Sequence, residues 1–210
     1  MTYRLPIFLL ALLFHGSLTA QSFEFEVGAS TTDNIVLEIY GAKSGTDVER
    51  RTYGTNAFNY HAAVTNTFTD FFALRLQAGT NTFRARLLHN TIDGLYYDLE
   101  GEQLSVELLP EFRLGKRHWF FANAALGWQF THTGTQRARR DVAFDEYDSS
   151  RELRRHNCSI GGNAGGQINF KRVGLRAGYG VRYWSFNSFR NTRLLQSTFQ
   201  AGLVYRLVGS

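Results

Sequence analysis

The sequence predicts an all-β protein in which eight antiparallel strands close into a transmembrane up-and-down β-barrel. Three observations predict it. Runs of about ten residues alternate apolar and polar side chains along the chain, the period of a strand with one apolar and one wet face. The runs are joined alternately by turns of a few residues and by long loops, the asymmetry of a barrel with short turns on one side of a membrane and longer loops on the other. After residue 20 no stretch of eighteen consecutive apolar residues occurs, so any crossing of a bilayer has to be made by strands.

The chain opens MTYRLPIFLLALLFHGSLTAQS, with one positive charge at Arg4, an apolar run from Leu5 to Phe14 and small or polar residues up to Ala20. That is the pattern of a secretory signal peptide over residues 1–20, leaving a single domain over 21–210. Mean hydropathy is −0.26, compatible with a barrel because lipid-facing and lumen-facing positions cancel in the average. A formal charge of +5 would suggest nucleic acid in a cytosolic domain, and the export signal removes that context, so no nucleic-acid partner is expected. The lone Cys158 cannot form an internal disulfide and reads as a small buried or wall residue.

Taken in order, Phe23, Phe25, Val27 and Ala29 alternate with Glu24, Glu26, Gly28 and Ser30 to give a first strand, ended by a polar break at Thr31 to Asn34. Ile35 to Tyr40 reads as part of an external loop with its own hairpin. The second strand, about Ala57 to Phe68, turns outward Phe58, Tyr60, Ala62 and Val64 and inward Asn59, His61, Thr65 and Thr67; Thr69-Asp70 turns the chain. The third, Phe71 to about Phe83, is followed by a loop from Arg84 to about Leu99. Strands four and five form the hairpin Leu104 to Gln129, with Gly115-Lys116-Arg117 as its turn. On its return strand Phe120 to Phe130 spans about 33 Å, which a tilt of roughly 40° reduces to about 25 Å, the height of a barrel's apolar band. A long loop from His132 to about Arg155 follows, in which Arg137, Arg139, Arg140, Arg151, Arg154 and Arg155 mix with Asp141, Asp145, Glu146 and Asp148 as a solvated face. The sixth strand, His156 to Phe170, the turn Lys171-Arg172, the seventh strand from Val173, a short loop from Phe186 to Arg193 and an eighth strand ending in Tyr205 and Leu207 complete the set.

The stretch YYDLEGEQLSVELLPEFRLGKRHWFFANAALGWQF carries a Leu-Pro strand, a basic turn and an aromatic-Asn-Ala-Ala-Leu-Gly return strand. In this the chain resembles the small outer-membrane β-barrel proteins of the OmpA-like superfamily, most closely the porin-like barrel domains typical of Bacteroidetes. The resemblance implies an outer-membrane location with both termini in the periplasm, contact with outer-membrane lipids and lipopolysaccharide, and a monomer. Such chains commonly end on an aromatic residue, whereas this one continues Arg206 to Ser210. Gln200, Gly202, Tyr205 and Leu207 nevertheless match the polar, glycine, aromatic, hydrophobic spacing of the family's C-terminal assembly signal, which implies the barrel-insertion machinery as a partner.

Inward positions are the informative ones, because an eight-stranded barrel is just wide enough to be filled by its own side chains. Glu24, Glu26, Glu107 and Glu111 are expected there against Arg75, Arg113, Arg176, Arg182 and Arg206, and buried charges must be paired. The expected role is a structural ion-pair network, with a conducting path as the alternative. Phe58, Tyr60, Phe112, Phe120, Trp128, Phe130, Tyr183 and Tyr205 read as interfacial aromatic girdles. His61, His89, His118 and His132 show no metal-ligand spacing, and Asp145, Glu146 and Asp148 lack the glycine and spacing of a calcium loop, so neither metal nor cofactor is expected. The lipid A deacylase pattern places His and Ser two residues apart on one strand face, followed by Asn. Here His156 and Ser159 are three apart and point oppositely. The reading is therefore a non-enzymatic envelope barrel with a structural or surface-binding role. A narrow porin or transporter for ions or small hydrophobic molecules is the second reading and a lipid-modifying enzyme the third.

Overall fold

The computed structural model describes residues 22–38, 50–51, 54–88, 95–116, 118–140, 149–152, 156–186 and 192–208. Eight long strands form the barrel: β1 (Ser22–Glu38), β3 (Gly54–Thr67), β4 (Phe72–Leu88), β5 (Leu95–Leu114), β6 (Trp119–Arg140), β8 (His156–Phe170), β9 (Val173–Phe186) and β10 (Thr192–Val208). Each pairs antiparallel with the next, and β1 pairs with β10 from Ser22↔Val208 to Glu38↔Arg193, which closes the sheet. Closure matters in lipid, where an open edge would leave backbone groups without partners. Two short pieces, β2 (Arg50–Arg51) and β7 (Ser149–Glu152), add to the upper parts of β4 and β6.

The turns fall where the sequence places them. At Thr69-Asp70 the Phe68 and Thr69 amides donate to Phe72 O at 3.1 and 3.2 Å, and the Phe72 amide donates to Thr69 Oγ1 at 3.0 Å. Gly115 adopts a φ of +126°, and a Cβ there would meet Trp119 Cα at 3.0 Å, so the β5–β6 turn requires glycine. Lys171 takes the left-handed conformation, φ 55°, in the β8–β9 turn.

At the other end the strands run further than hydropathy indicates. The expected break at Thr31 to Asn34 is absent: β1 continues through it to Glu38, in register with β10 as far as Val36 and with a slip between Val36 and Glu38. Residues Arg84 to Leu88 and Leu95 to Leu99, expected as loop, pair from Arg84↔Glu100 to Leu88↔Tyr96. Most of the expected loop from His132 is also strand, since β6 reaches Arg140 and takes β7 beside it. Phe186 and Thr192-Arg193 likewise belong to β9 and β10 rather than to a loop. The reason is physical: apolar alternation records only the stretch facing lipid, whereas ladder hydrogen bonds continue wherever a partner strand is beside them. At 22 residues β6 is about 70 Å long, roughly twice what a tilted crossing needs. Register slips occur near this boundary, between Thr31 and Thr32 opposite Phe58 and Thr55, and between Glu102 and Gln103 opposite Thr133 and Thr131. His132 is thereby the extra residue on β6, a bulge of the kind that adds local twist. The expected signal peptide, His89, the acidic residues Asp141 to Asp148, and the side chains of Arg137, Arg139, Arg140 and Arg151 lie outside the described residues and side chains, as do Arg154 and Arg155.

Candidate functional site: the lumen

Alternation along eight strands sends the charged residues inward. Glu24 and Glu26 on β1, Arg75 on β4, Glu107, Glu111 and Arg113 on β5, and Arg176 and Arg182 on β9 are all buried. Arg206 on β10 is partly exposed at the short-turn end, its side chain 27 % accessible. Seven of the nine form one network across the lower lumen. Arg206 donates through Nε and Nη2 to Glu24 Oε1 at 3.0 and 2.8 Å. Arg113 bridges Glu24 Oε2 at 3.0 Å and Glu111 Oε1 at 2.8 Å. Arg176 donates to both oxygens of Glu111 and reaches Gln167 Oε1 at 3.1 Å, while its Nε lies 3.7 Å from Glu26 Oε2. Arg75 donates to Glu26 Oε2 and to Gln77 Oε1, the latter at 2.9 Å. Higher up, Arg182 clasps Glu107 bidentately, Nε to Oε1 at 2.7 Å and Nη2 to Oε2 at 2.8 Å, and holds Asn163 Oδ1 at 2.8 Å with Nη1.

Glu24, Glu26 and Glu111 thus face Arg75, Arg113, Arg176 and Arg206, one cation in excess. Two features of the site offset that excess. Arg206 keeps contact with solvent, and aromatic faces cover the guanidiniums: Arg113 and Arg206 lie 4.7 and 4.9 Å from the Trp119 ring centre, and Arg176 lies 3.5 Å from that of Phe121. Trp119 and Phe121, both buried, were missed in the sequence because bulky aromatics on a barrel read as lipid-facing. The signal was present in the period of two, which carries Asn123 back through Phe121 to Trp119.

Inward glycines decide how so many large side chains fit. His61 on β3 is paired with Gly28 on one side and Gly79 on the other. A Cβ at Gly28 would lie 2.6 Å from the imidazole Cε1 and Nε2, so the ring lies flat across that glycine and brings Nε2 to 3.0 Å from Glu26 Oε1. Glu26 in turn lies over Gly202, where a Cβ would meet its Cδ and Cγ at 2.9 Å. Gly202 was expected as part of an assembly signal; in the folded barrel it and buried Gln200 face the lumen, while Tyr205 and Leu207 face outward.

Above this charged plug the lining changes to amides and hydroxyls. Asn59 donates to Thr32 Oγ1 at 3.2 Å and accepts from the Thr82 amide at 2.8 Å; Gln196 and Asn81 exchange bonds of 2.9 and 3.2 Å; Gln103 donates to Thr131 Oγ1 at 3.0 Å. A cavity of about 40 Å³ lies here, with Glu107, Arg182 and His61 among its walls. That is room for about three water molecules. Gln129 Oε1, Asn163 Nδ2, Gln200 Nε2 and His61 Nδ1 have no protein partner, and solvent must satisfy them.

The outer wall is the complement. Phe58, Tyr60, Phe112, Phe120 and Tyr205 are exposed, and Phe120 reaches 76 %. Trp128, Phe130 and Tyr183 are half-buried, the first two stacking on His156 with centroids 5.1 Å away. His156 is exposed and Ser159 buried, so the two stand on opposite faces of β8 and form no dyad. Cys158 is exposed on the same face as His156. Among the described residues no group of three His, Cys, Asp or Glu could hold a metal ion.

No protein-family model and no curated protein matches the chain significantly. Solved structures do match. OprG from Pseudomonas aeruginosa aligns at 14 % identity with a TM-score of 0.54, over 91 % of this chain and 98 % of that one. Ail, the attachment invasion locus protein of Yersinia pestis, aligns at 14 % with a TM-score of 0.51, over 90 % and 99 %. The outer membrane protease OmpT from Escherichia coli aligns at 9 % with a TM-score of 0.51, over 90 % and 98 %. Identities this low speak to architecture alone, and the architecture is that of the outer-membrane β-barrels: eight antiparallel strands closed on themselves.

Proposed function

We propose that the chain is a non-enzymatic outer-membrane barrel whose lumen is sealed, and which serves the envelope through its wall and its long strand ends. One observation carries the reading: the network from Arg206 through Glu24, Arg113, Glu111 and Arg176 to Glu26 and Arg75 crosses the lumen with every carboxylate held by at least one arginine. Breaking such a buried pair costs about 3–5 kcal/mol, far above thermal energy, so the plug stays shut. The short-turn side, with the Ser22–Val208 end of the β1–β10 seam, then faces the periplasm, and the β5–β6 extension projects outward as a surface for binding. Outer-membrane lipids and lipopolysaccharide are its expected surroundings, and the barrel-insertion machinery its expected partner during assembly. Placement among the Bacteroidetes-type barrel domains rests on the 96–130 stretch alone.

The test is single-channel recording in planar bilayers. A sealed barrel gives no steady unitary conductance, while reproducible current steps would overturn the reading. The polar-lined cavity of about 40 Å³ favours the second reading, a narrow pore, but it is bounded by the Glu107–Arg182 clasp and His61. A recording in which Glu107→Ala opens a current that the unaltered chain lacks would locate the barrier at that clasp.

A further inference from the structure

We infer that the outer wall binds an anionic glycerophospholipid from the leaflet on the short-turn side. The inference rests on the membrane-barrel reading above and adds a ligand to it. Across neighbouring strands the outward positions Tyr60, Ala29, Ala201, Ala177, Gly166 and Phe120 are direct register partners. Four small residues stand side by side between two aromatic ends, across about 14 Å at the usual strand spacing. The larger residues Leu203, Leu175 and Ile168 form the rim one row below. The result is a recess of about 990 Å³ in the outer wall. That volume matches the upper range of ligand pockets, about 300–1,000 Å³. A chain lying in it is touched on three sides instead of one, which multiplies its dispersion contacts.

Charge at the foot of the recess selects the occupant. The β8–β9 turn joins two of the strands that line it, and that turn is Lys171-Arg172, both exposed. On the neighbouring β5–β6 turn are exposed Lys116 and His118, and His118 is itself part of the recess. His118 Nδ1 accepts the Asn169 amide at 3.2 Å, which leaves Nε2 as the donating edge. Ile168 and Lys171 are three residues apart, about 10 Å along the strand, so a phosphate at Lys171 and Arg172 has its acyl chains at the height of the recess. Asp70 is the exposed acid at this end among the described residues, and its β3–β4 turn lies diametrically across the barrel. Basic side chains at the interface attract anionic headgroups, and the apolar recess supplies what a free phosphate could not use.

The experiment is native mass spectrometry of the protein released from nanodiscs made of equal parts phosphatidylglycerol and phosphatidylcholine, both with palmitoyl and oleoyl chains. The unaltered protein retains phosphatidylglycerol in preference. The Lys171→Gln, Arg172→Gln double variant loses that preference, roughly fivefold for each charge removed. Ala177→Phe, which fills the recess and leaves every charge in place, loses the retained lipid altogether. Equal retention of the two lipids by the unaltered protein would overturn the inference, and so would undiminished phosphatidylglycerol on Ala177→Phe. A chain that fails to insert into nanodiscs at all sinks the membrane reading instead, so the two failures are distinguishable.

Discussion

Glu107 and Arg182 make the sharpest test of how the lumen is held. The pair is separate from the lower network: both carboxylate oxygens of Glu107 are taken by Arg182, at 2.7 and 2.8 Å, and Arg182 keeps Asn163 Oδ1 and Gly162 O as further acceptors. Removing one member leaves a buried charge uncompensated, at about 3–5 kcal/mol. Glu107→Ala leaves Arg182 with three neutral acceptors, Asn163 Oδ1, Gly162 O and Val181 O, and access to the cavity beside it, which places the loss at the lower end, about 3 kcal/mol. For a chain of this size that is a fall in apparent Tm of about 6–12 °C, read from the loss of β-type circular dichroism and of heat-modifiable gel mobility in detergent. The Glu107→Leu, Arg182→Met double variant removes both charges and keeps the bulk, and is expected within about 1 kcal/mol of the unaltered protein. A single variant that melts with the unaltered protein, or a double variant less stable than the single, would refute the account of the clasp as a compensated buried pair.

Within the lower network, Arg176→Ala is expected to cost about 1–3 kcal/mol because it takes one of the two arginines from Glu111 and uncovers Phe121 while Arg113 keeps Glu111 paired, whereas Arg206→Ala, at the exposed rim, costs about 1 kcal/mol or less; urea unfolding in lipid vesicles orders them. Gly28→Ala drives a methyl into the His61 ring, 2.6 Å away, and loses about 1–3 kcal/mol by the same assay, while Gly166→Ala, whose nearest neighbour would be 3.8 Å off, stays within about 0.5 kcal/mol. On the wall, Tyr179→Arg in the middle of the apolar run of β9 costs about 2–4 kcal/mol and Leu207→Arg at the end of its strand about 1 or less; equal costs would mean that this face is not in hydrocarbon.

Much of this fold could be read without coordinates, for a physical reason. A strand in a barrel wall meets lipid on one side and the packed lumen on the other, so each residue's environment is set by the parity of its position. Parity alone places Glu24, Glu26, Arg75, Glu107, Glu111, Arg113, Arg176 and Arg182 inside, and Phe58, Phe112 and Phe120 outside. Tight turns at Thr69-Asp70, Gly115 and Lys171-Arg172 are equally local, since each is written in a few adjacent residues.

What only the tertiary structure decides is whatever depends on which strands are neighbours and how far each ladder runs. Polar stretches such as Thr31 to Asn34 and Thr131 to Arg140 carry no amphipathic signal, and they are strands because β10 and β5 stand beside them to take their hydrogen bonds. Partner choice in the lumen is of the same kind: Glu24 meets Arg206 across 182 residues of chain because closure brings β1 against β10. Trp119 faces arginines rather than lipid, and His61 reaches Glu26 only because Gly28 and Gly79 flank it in register. The sequence by itself determined the barrel, its inward charges and its lipid-facing wall, because those follow from a period of two. The register of eight strands determined the pairing of the charges, the polar cavity above them and the recess in the wall, because each is built from residues that only closure makes adjacent.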